Sequence, residues 1–240
     1  MKSRLIFGFL AAILILASCE NDDSIRASGE VTTTEFSFSG YNALEVRGAF
    51  EVFVRFSDTE ESIRIEANEN LQERLVVRVI GNTLEIGPED SLSIRGNATL
   101  RAFITTKNIS NITISGATRL TLEDEWVADN GSLRLSGASS LIGEVTATRL
   151  EIRGSGSSGV DLFGMVDELD ADLSGSSDLR DFDLQVQRLD MDLSGSSDAF
   201  LTVNESIEID ASGSSSLNYM GNPEIIRQNL TGGSELNQRN

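Results

Sequence analysis

LDADLSGSSD at Leu169 to Asp178 and LDMDLSGSSD at Leu189 to Asp198 are nearly the same ten residues, twenty positions apart. A repeated active-site motif and a repeated piece of architecture would both leave this trace, so the flanking residues decide. The glycines Gly116, Gly137, Gly156, Gly175, Gly195, Gly213 and Gly232 are separated by 21, 19, 19, 20, 18 and 19 residues, a period near nineteen. Immediately before them stand Ser115, Ser136, Ser155, Ser174, Ser194, Ser212 and Thr231, always a hydroxyl. Two positions after them the hydroxyl returns as Thr118, Ser139, Ser158, Ser177, Ser197, Ser215 and Ser234. Four positions after them an apolar column follows: Leu120, Leu141, Val160, Leu179, Ala199, Leu217 and Leu236.

Upstream of each glycine the residues alternate, as in Leu169-Asp-Ala-Asp-Leu173, Leu189-Asp-Met-Asp-Leu193 and Ile207-Glu-Ile-Asp-Ala211. A period of two marks a strand with one buried face. One such coil cannot bury its apolar face alone, whereas coils stacked on one another form a continuous core. The reading is an all-β, single-domain parallel β-helix, or β-solenoid, with coils of about 19 residues. At a strand spacing of ~4.8 Å, seven coils rise roughly 34 Å. A propeller would need blades of about 40 residues, and an antiparallel meander would need regular hairpin turns.

In this fold SGSS is a corner. Glycine permits positive φ, and small neighbours let successive corners approach. The second serine shares its side with the apolar column, so its hydroxyl needs an internal partner. A catalytic serine needs an activating base, and seven equivalent serines in a chain without histidine have none. Gly154-Ser155-Gly156-Ser157-Ser158-Gly159 matches GxGxxG, yet it leads into another strand rather than the helix a dinucleotide fingerprint requires. The calcium-binding nonapeptide is absent, and Asp follows the corner only at Asp178 and Asp198.

Thirty-eight Asp and Glu against 19 Lys and Arg give a net charge of -19, which repels nucleic acid and anionic lipid surfaces. The single cysteine and the lack of histidine exclude an intrachain disulfide, a His or Cys zinc site and every histidine-based triad. Neither the motifs nor the composition calls for a cofactor. Lys2 and Arg4 precede an apolar run, Leu5 to Leu16, too short to span a bilayer comfortably. Leu16-Ala17-Ser18-Cys19 resembles a lipobox, which makes residues 1–18 a signal peptide and Cys19 the lipidated mature N-terminus. Acyl chains at ~0.8 kcal/mol per buried CH₂ then anchor the protein without a transmembrane helix. The acidic Glu20-Asn21-Asp22-Asp23 that follows resembles the surface-export signal of Bacteroidetes lipoproteins, implying an outer-membrane, surface-exposed location, with a periplasm-facing one as the alternative. Residues 19–34 read as an acidic, polar tether and 35–240 as the solenoid, less regular over 35–95 and regular over 96–236.

The outward positions carry the chemistry. Three before the corner glycines stand Thr113, Arg134, Arg153, Asp172, Asp192, Asp210 and Asn229; five before them, Asn111, Ser132, Glu151, Asp170, Asp190, Glu208 and Arg227. Stacking crowds Asp170, Asp172, Asp190, Asp192, Glu208 and Asp210 onto one face, with Arg153 able to pair with Asp172. Such a face either binds a cation or basic partner, or is a solvated acidic surface with splayed side chains. Asp170 with Asp190, or Asp172 with Asp192, also have the spacing of a retaining glycosidase, although every layer of a solenoid repeats it. The amide-rich Gln228-Asn229-Leu230 and Asn237 to Asn240 either cap the last coil's exposed edge or leave it free for another chain.

In the N-terminal third, Tyr41 to Val54 gives two strands broken at Gly48, Ser62 to Glu66 another, and Gly81-Asn82 suits a hairpin turn between Leu71–Ile80 and Thr83–Ile86. Phe50, Val52 and Val54 read as core. The order YNALEVRGAFEVFV, ESIRIEANENLQERLVVRV, NTLEIG and then SG-marked repeats resembles the family called putative auto-transporter adhesin, head GIN domain. The resemblance implies a β-helical fold on secreted or surface lipoproteins, with no established activity and no catalytic residues to carry over. The expectation is a non-enzymatic envelope lipoprotein, joined to the membrane at Cys19, whose flat faces bind a glycan or protein partner and not nucleic acid. The alternative is a carbohydrate-active enzyme or polysaccharide-binding protein using the acidic face.

Overall fold

The computed structural model describes residues 23–239, so Cys19 and the leader lie outside the described residues. Those residues form 20 strands and a single four-residue helix, Glu69–Gln72. The long strands alternate burial on either side of a bend: Leu184–Leu193 buries Leu184, Val186, Leu189, Met191 and Leu193 and turns the polar and charged residues between them outward. Alternation slips by one residue inside Ser140–Gly154, where Thr148 and Arg149 are both exposed, and there the chain bends without leaving the sheet. Each regular coil thus has a strand, this second bend, another strand and the glycine corner.

Successive coils pair in parallel register. Leu133, Ile152, Ala171, Met191 and Ile209 stack as one inward column, and Leu150, Leu169, Leu189 and Ile207 as another. The two halves of the fold share one continuous core, since the same cluster runs from Tyr41 to Tyr219. The bend is marked by charge as the corner is by glycine: Arg149, Glu168 and Arg188 stack in register, and Glu168 pairs with both arginines. Arg188 continues the ladder to Glu205 at 3.2 Å. The sequence period exposed the first corner because glycine repeats there. The second alternates in sign, so no residue type recurs to reveal it.

The glycine column is in register and one layer longer than the repeat suggests. A Cβ placed on Gly137, Gly156, Gly175 or Gly195 would lie 2.6, 2.7, 2.6 or 2.4 Å from the carbonyl oxygen of the preceding corner glycine. On Gly116 it would lie 2.3 Å from the Gly48 oxygen, so Gly48 starts the column. All eight glycines have positive φ, between 73° and 107°. The close approach is cemented by hydrogen bonds, for example Ser176 N–H donating to Gly156 O at 2.7 Å and Ser196 N–H to Gly175 O at 2.8 Å. Gly81-Asn82 is the expected hairpin turn: Ile80 faces Thr83 across an antiparallel pair.

Two features of the N-terminal region go beyond or against its sequence reading. Sequence order is not stacking order: the coil of Ala43–Val46 and Glu51–Phe56 lies between Thr83–Pro88 with Leu100–Thr106 on one side and Asn111–Ile114 with Arg119–Leu122 on the other. A coil exposes two strand edges, and the chain fills one, then crosses back to build on the other. The outer edge of the end coil is closed by antiparallel strands: Ser62–Asn68 on Leu100–Thr106, Val31–Phe36 on Ser62–Asn68, and Leu75–Ile80 on Thr83–Pro88. That closure pairs the parallel edge of the end coil, which would otherwise be open to another chain. Second, the stretch read as a tether contains strands. Asp23–Arg26 pairs in parallel with Leu92–Arg95, and Val31–Phe36 is the outer strand of the closure. Their pairing partners lie far away in sequence, and Val31–Phe36 puts Thr32 and Thr34 on its inner side and Val31 on its outer one, so no local apolar period announces them.

Candidate functional site

The inner hydroxyls of the corners are fully used by the fold. Ser177 Oγ donates to Ser174 O at 2.8 Å, and Ser139, Ser197 and Ser215 repeat the contact at 2.9, 3.0 and 2.8 Å. Ser158 and Ser177 share a further hydrogen bond of 3.0 Å. All of these serines are buried. A hydroxyl that is buried and committed to a carbonyl is a structural tie, which accounts for its recurrence in every coil.

The outward acidic columns do come together. Asp170, Asp190 and Glu208 stand in register on successive layers, and beside them Asp172, Asp192 and Asp210. Stacked like charges repel, and the fold offsets the repulsion with an arginine at each end. Arg153 reaches Glu151 at 3.0 Å, Asp170 at 3.2 Å and Asp172 at 3.7 Å. The Asp172 contact expected from the sequence is present, but Asp170 is nearer. At the other end Arg227 reaches Glu208 and Asp190, each at 3.0 Å, and also Asp210. Asp192 sits between the two clamps and makes no ion pair among the described residues. Burial of its flanks, then the like charges of Asp190 and Asp172, raise its pKa, against the pull of Arg227. Asp172, Asp192 and Asp210, with the corner residues Ser194, Ser212 and Thr231, line a shallow open depression of about 270 Å³.

Among the described residues no group of three or more His, Cys, Asp or Glu side chains is placed to hold a metal ion. The cation-binding alternative therefore draws no support from ligand geometry, while the bracketing arginines supply the compensation that stacked carboxylates require. The glycosidase alternative keeps the in-register pairs Asp170/Asp190 and Asp172/Asp192, but Asp170 and Asp190 are each engaged by an arginine.

A second concavity, about 560 Å³, lies at the closed end and was not read from the sequence. Its floor is the outward face of Glu51–Phe56, Leu100–Thr106 and Ser62–Asn68, where Phe53 and Phe103 stack with ring centroids 5.1 Å apart. The Arg64 guanidinium lies 3.9 Å over the Phe103 ring, and Glu60, Glu61 and Glu123 stand along the walls. Phe50, Val52 and Val54 are core as expected, and Phe53 is the outward residue among them. The signal in the sequence was Phe53 breaking the inward alternation, yet its partner Phe103 becomes a neighbour only through the non-sequential stacking.

The family model described as "Putative auto-transporter adhesin, head GIN domain" matches residues 40–223. Among solved structures, a "putative adhesin" from Bacteroides fragilis is 19% identical, with a TM-score of 0.80 over 89% of this chain and 98% of that one. A "putative lipid binding protein" from Parabacteroides distasonis is 20% identical, with a TM-score of 0.76 over 90% and 100%. A "putative adhesin" from Parabacteroides merdae is 16% identical, with a TM-score of 0.71 over 91% and 100%. At these identities the likeness establishes the fold. No curated protein matches the chain.

Proposed function

We propose that this chain, which belongs to the family described as putative auto-transporter adhesin, head GIN domain, is a non-enzymatic cell-envelope lipoprotein that binds a glycan or protein partner along its flat solenoid faces. The observation that carries the reading is the division of labour in the repeat. Its recurring hydroxyls are spent inside the corners, while its variable charged and aromatic residues are ranked outward in columns, as in other extended repeat proteins that present binding surfaces. Similar folds carry the names adhesin and lipid binding protein, which agrees with a role in contact rather than turnover. The anchor at Cys19 and the acidic residues after it support an outer-membrane, surface-exposed location.

A carbohydrate-active enzyme using the acidic face is the second reading, favoured by one observation: Asp192, whose pKa is raised by burial and by its like-charged neighbours, stands in register with Asp172 in the adjacent layer, as paired catalytic carboxyls do. A glycan array and a reducing-sugar release assay on the same preparation separate the two. Binding without turnover supports the adhesion reading; sugar release abolished by Asp192→Asn establishes the enzyme. Acylation of Cys19 is checked by intact mass, and the location by protease shaving of whole cells.

A further inference from the structure

We propose that the two-stranded sheet of Asp23–Arg26 and Leu92–Arg95 is a membrane-docking surface, in which Arg26 and Arg95 together hold a phosphate of a lipid headgroup in the leaflet that carries the anchor. The proposal rests on the lipid-anchor reading at Cys19. Its first ground is covalent reach. Asp23 is the first paired residue among those described and stands four residue steps from Cys19, which at ~3.6 Å each span at most about 14 Å. The strand cannot pay out further slack, since all four of its residues pair in register with Leu92–Arg95 and Asp23 is held by Arg74.

The second ground is charge. Arg26 and Arg95 are both exposed and face each other directly across the parallel pair, an unfavourable arrangement of like charges that an anion between them would relieve. Neither has an ion-pair partner among the described residues, in a chain with 38 acidic groups against 19 basic ones. Three carboxylates beside the sheet are taken by other arginines, Asp23 and Glu89 by Arg74 and Asp90 by Arg47, and Glu30, Glu69 and Glu73 at the same end do not reach Arg26 or Arg95. A lipid phosphate, brought within reach by the anchor, fits a fork of two guanidinium groups.

The rest of the molecule is net acidic and repelled by an anionic surface, so its charge distribution decides only which end approaches. Residues 23–110 carry 14 Asp and Glu against 9 Lys and Arg, whereas 111–240 carry 22 against 8. Docking by the sheet at the closed end puts the less acidic part against the headgroups. It places the last coil, Glu224–Leu230 with Glu235–Gln238, eight layers away from the end coil, roughly 38 Å at ~4.8 Å per layer.

The test uses the lipidated full chain in vesicles of phosphatidylglycerol and phosphatidylcholine. A fluorophore is placed on Asn97→Cys, next to the sheet, or on Glu235→Cys in the last coil, and quenched by nitroxide-labelled headgroups. Quenching should be strong at position 97 and weak at 235. Two arginines at an anionic surface should shift the docked-to-undocked ratio about thirtyfold, so Arg26→Ser with Arg95→Ser, or high salt, should release the position-97 quenching. Quenching that ignores both arginines and salt, or is equal at the two positions, overturns docking alone. Failure of the unsubstituted chain to float with the vesicles overturns the anchor and this proposal together.

Discussion

Replacing Gly175 by alanine tests how far the corner column holds the stack together. Gly175 has φ of +77°, and an added Cβ would sit 2.6 Å from Gly156 O. The left-handed backbone alone costs an alanine about 1–2 kcal/mol. The carbonyl it strikes accepts Ser176 N–H at 2.7 Å, so moving that carbonyl weakens a corner hydrogen bond, worth a further ~1 kcal/mol. Alanine's lower unfolded-chain entropy returns about 0.5 kcal/mol. The net loss is roughly 1.5–2.5 kcal/mol, which for a domain of this size lowers Tm by about 3–10 °C. Two other glycines separate the contributions. Gly40 has φ of +76° with nothing near its missing Cβ, so Gly40→Ala carries the backbone cost alone, about 1 kcal/mol after the entropic return. Gly159 has an ordinary φ and its nearest atom at 4.0 Å, so Gly159→Ala should stay within about 0.5 kcal/mol of the parent. Denaturant unfolding followed by far-UV circular dichroism and by the fluorescence of the buried Trp126 gives all three values. Gly175→Ala no more costly than Gly40→Ala would refute the claim that the corners touch.

The two serines after Gly175 should behave oppositely. Ser177→Ala leaves Ser174 O and Ser158 Oγ short of a partner and costs about 1–3 kcal/mol, whereas Ser176→Ala, at an exposed position, is near neutral in the same unfolding assay. Asp192 has its pKa raised in the fold, so the folded state holds its proton more tightly than the unfolded chain. Its ionisation therefore lowers stability as pH rises through the folded pKa. Asp192→Asn should raise Tm at neutral pH, by under about 1 kcal/mol in stability, and lose the advantage once acid has protonated the parent's carboxyl. Glu168 runs the other way: Arg188 and then Arg149 lower its pKa, so its contribution is present at neutral pH and lost as pH falls through the folded pKa. Arg188→Ala should reduce neutral-pH stability and flatten the acid limb of a Tm-versus-pH curve, and an unchanged acid limb would contradict the charge ladder at the second bend.

The regular coils were legible because one physical demand repeats at fixed spacing. A corner without room for a Cβ selects glycine each time, and an inward position selects Leu, Ile or Val, so Gly116 to Gly232 and the column from Leu120 to Leu236 announce themselves. Gly48 belongs to the same column but stands 68 residues before Gly116, because the chain leaves the stack to build the closed end before returning. The strands Asp23–Arg26 and Val31–Phe36 were hidden for a related reason, since their pairing edges are supplied by residues 92–95 and 62–68. In the candidate site, the carboxylate columns followed from the repeat, and so did the Arg153 contact. The Arg227 clamp was less visible, since it reaches Asp190 two layers away, past the register shift beside Ile207. The Phe53 and Phe103 stack depends on a layer order that no local pattern encodes.

The stacking itself is tested most directly by cross-linking exposed corner residues in pairs, with Cys19 acylated or replaced by serine. Ser157, Ser176 and Ser196 each follow a corner glycine and are exposed. In-register neighbours stand ~4.8 Å apart, within disulfide range, while residues two layers apart stand near 10 Å, beyond it. Ser157→Cys with Ser176→Cys, and Ser176→Cys with Ser196→Cys, should oxidise to intramolecular disulfides, and Ser157→Cys with Ser196→Cys should stay reduced. Equal oxidation of all three pairs, or none in the two adjacent pairs, would contradict a solenoid built one coil upon the next.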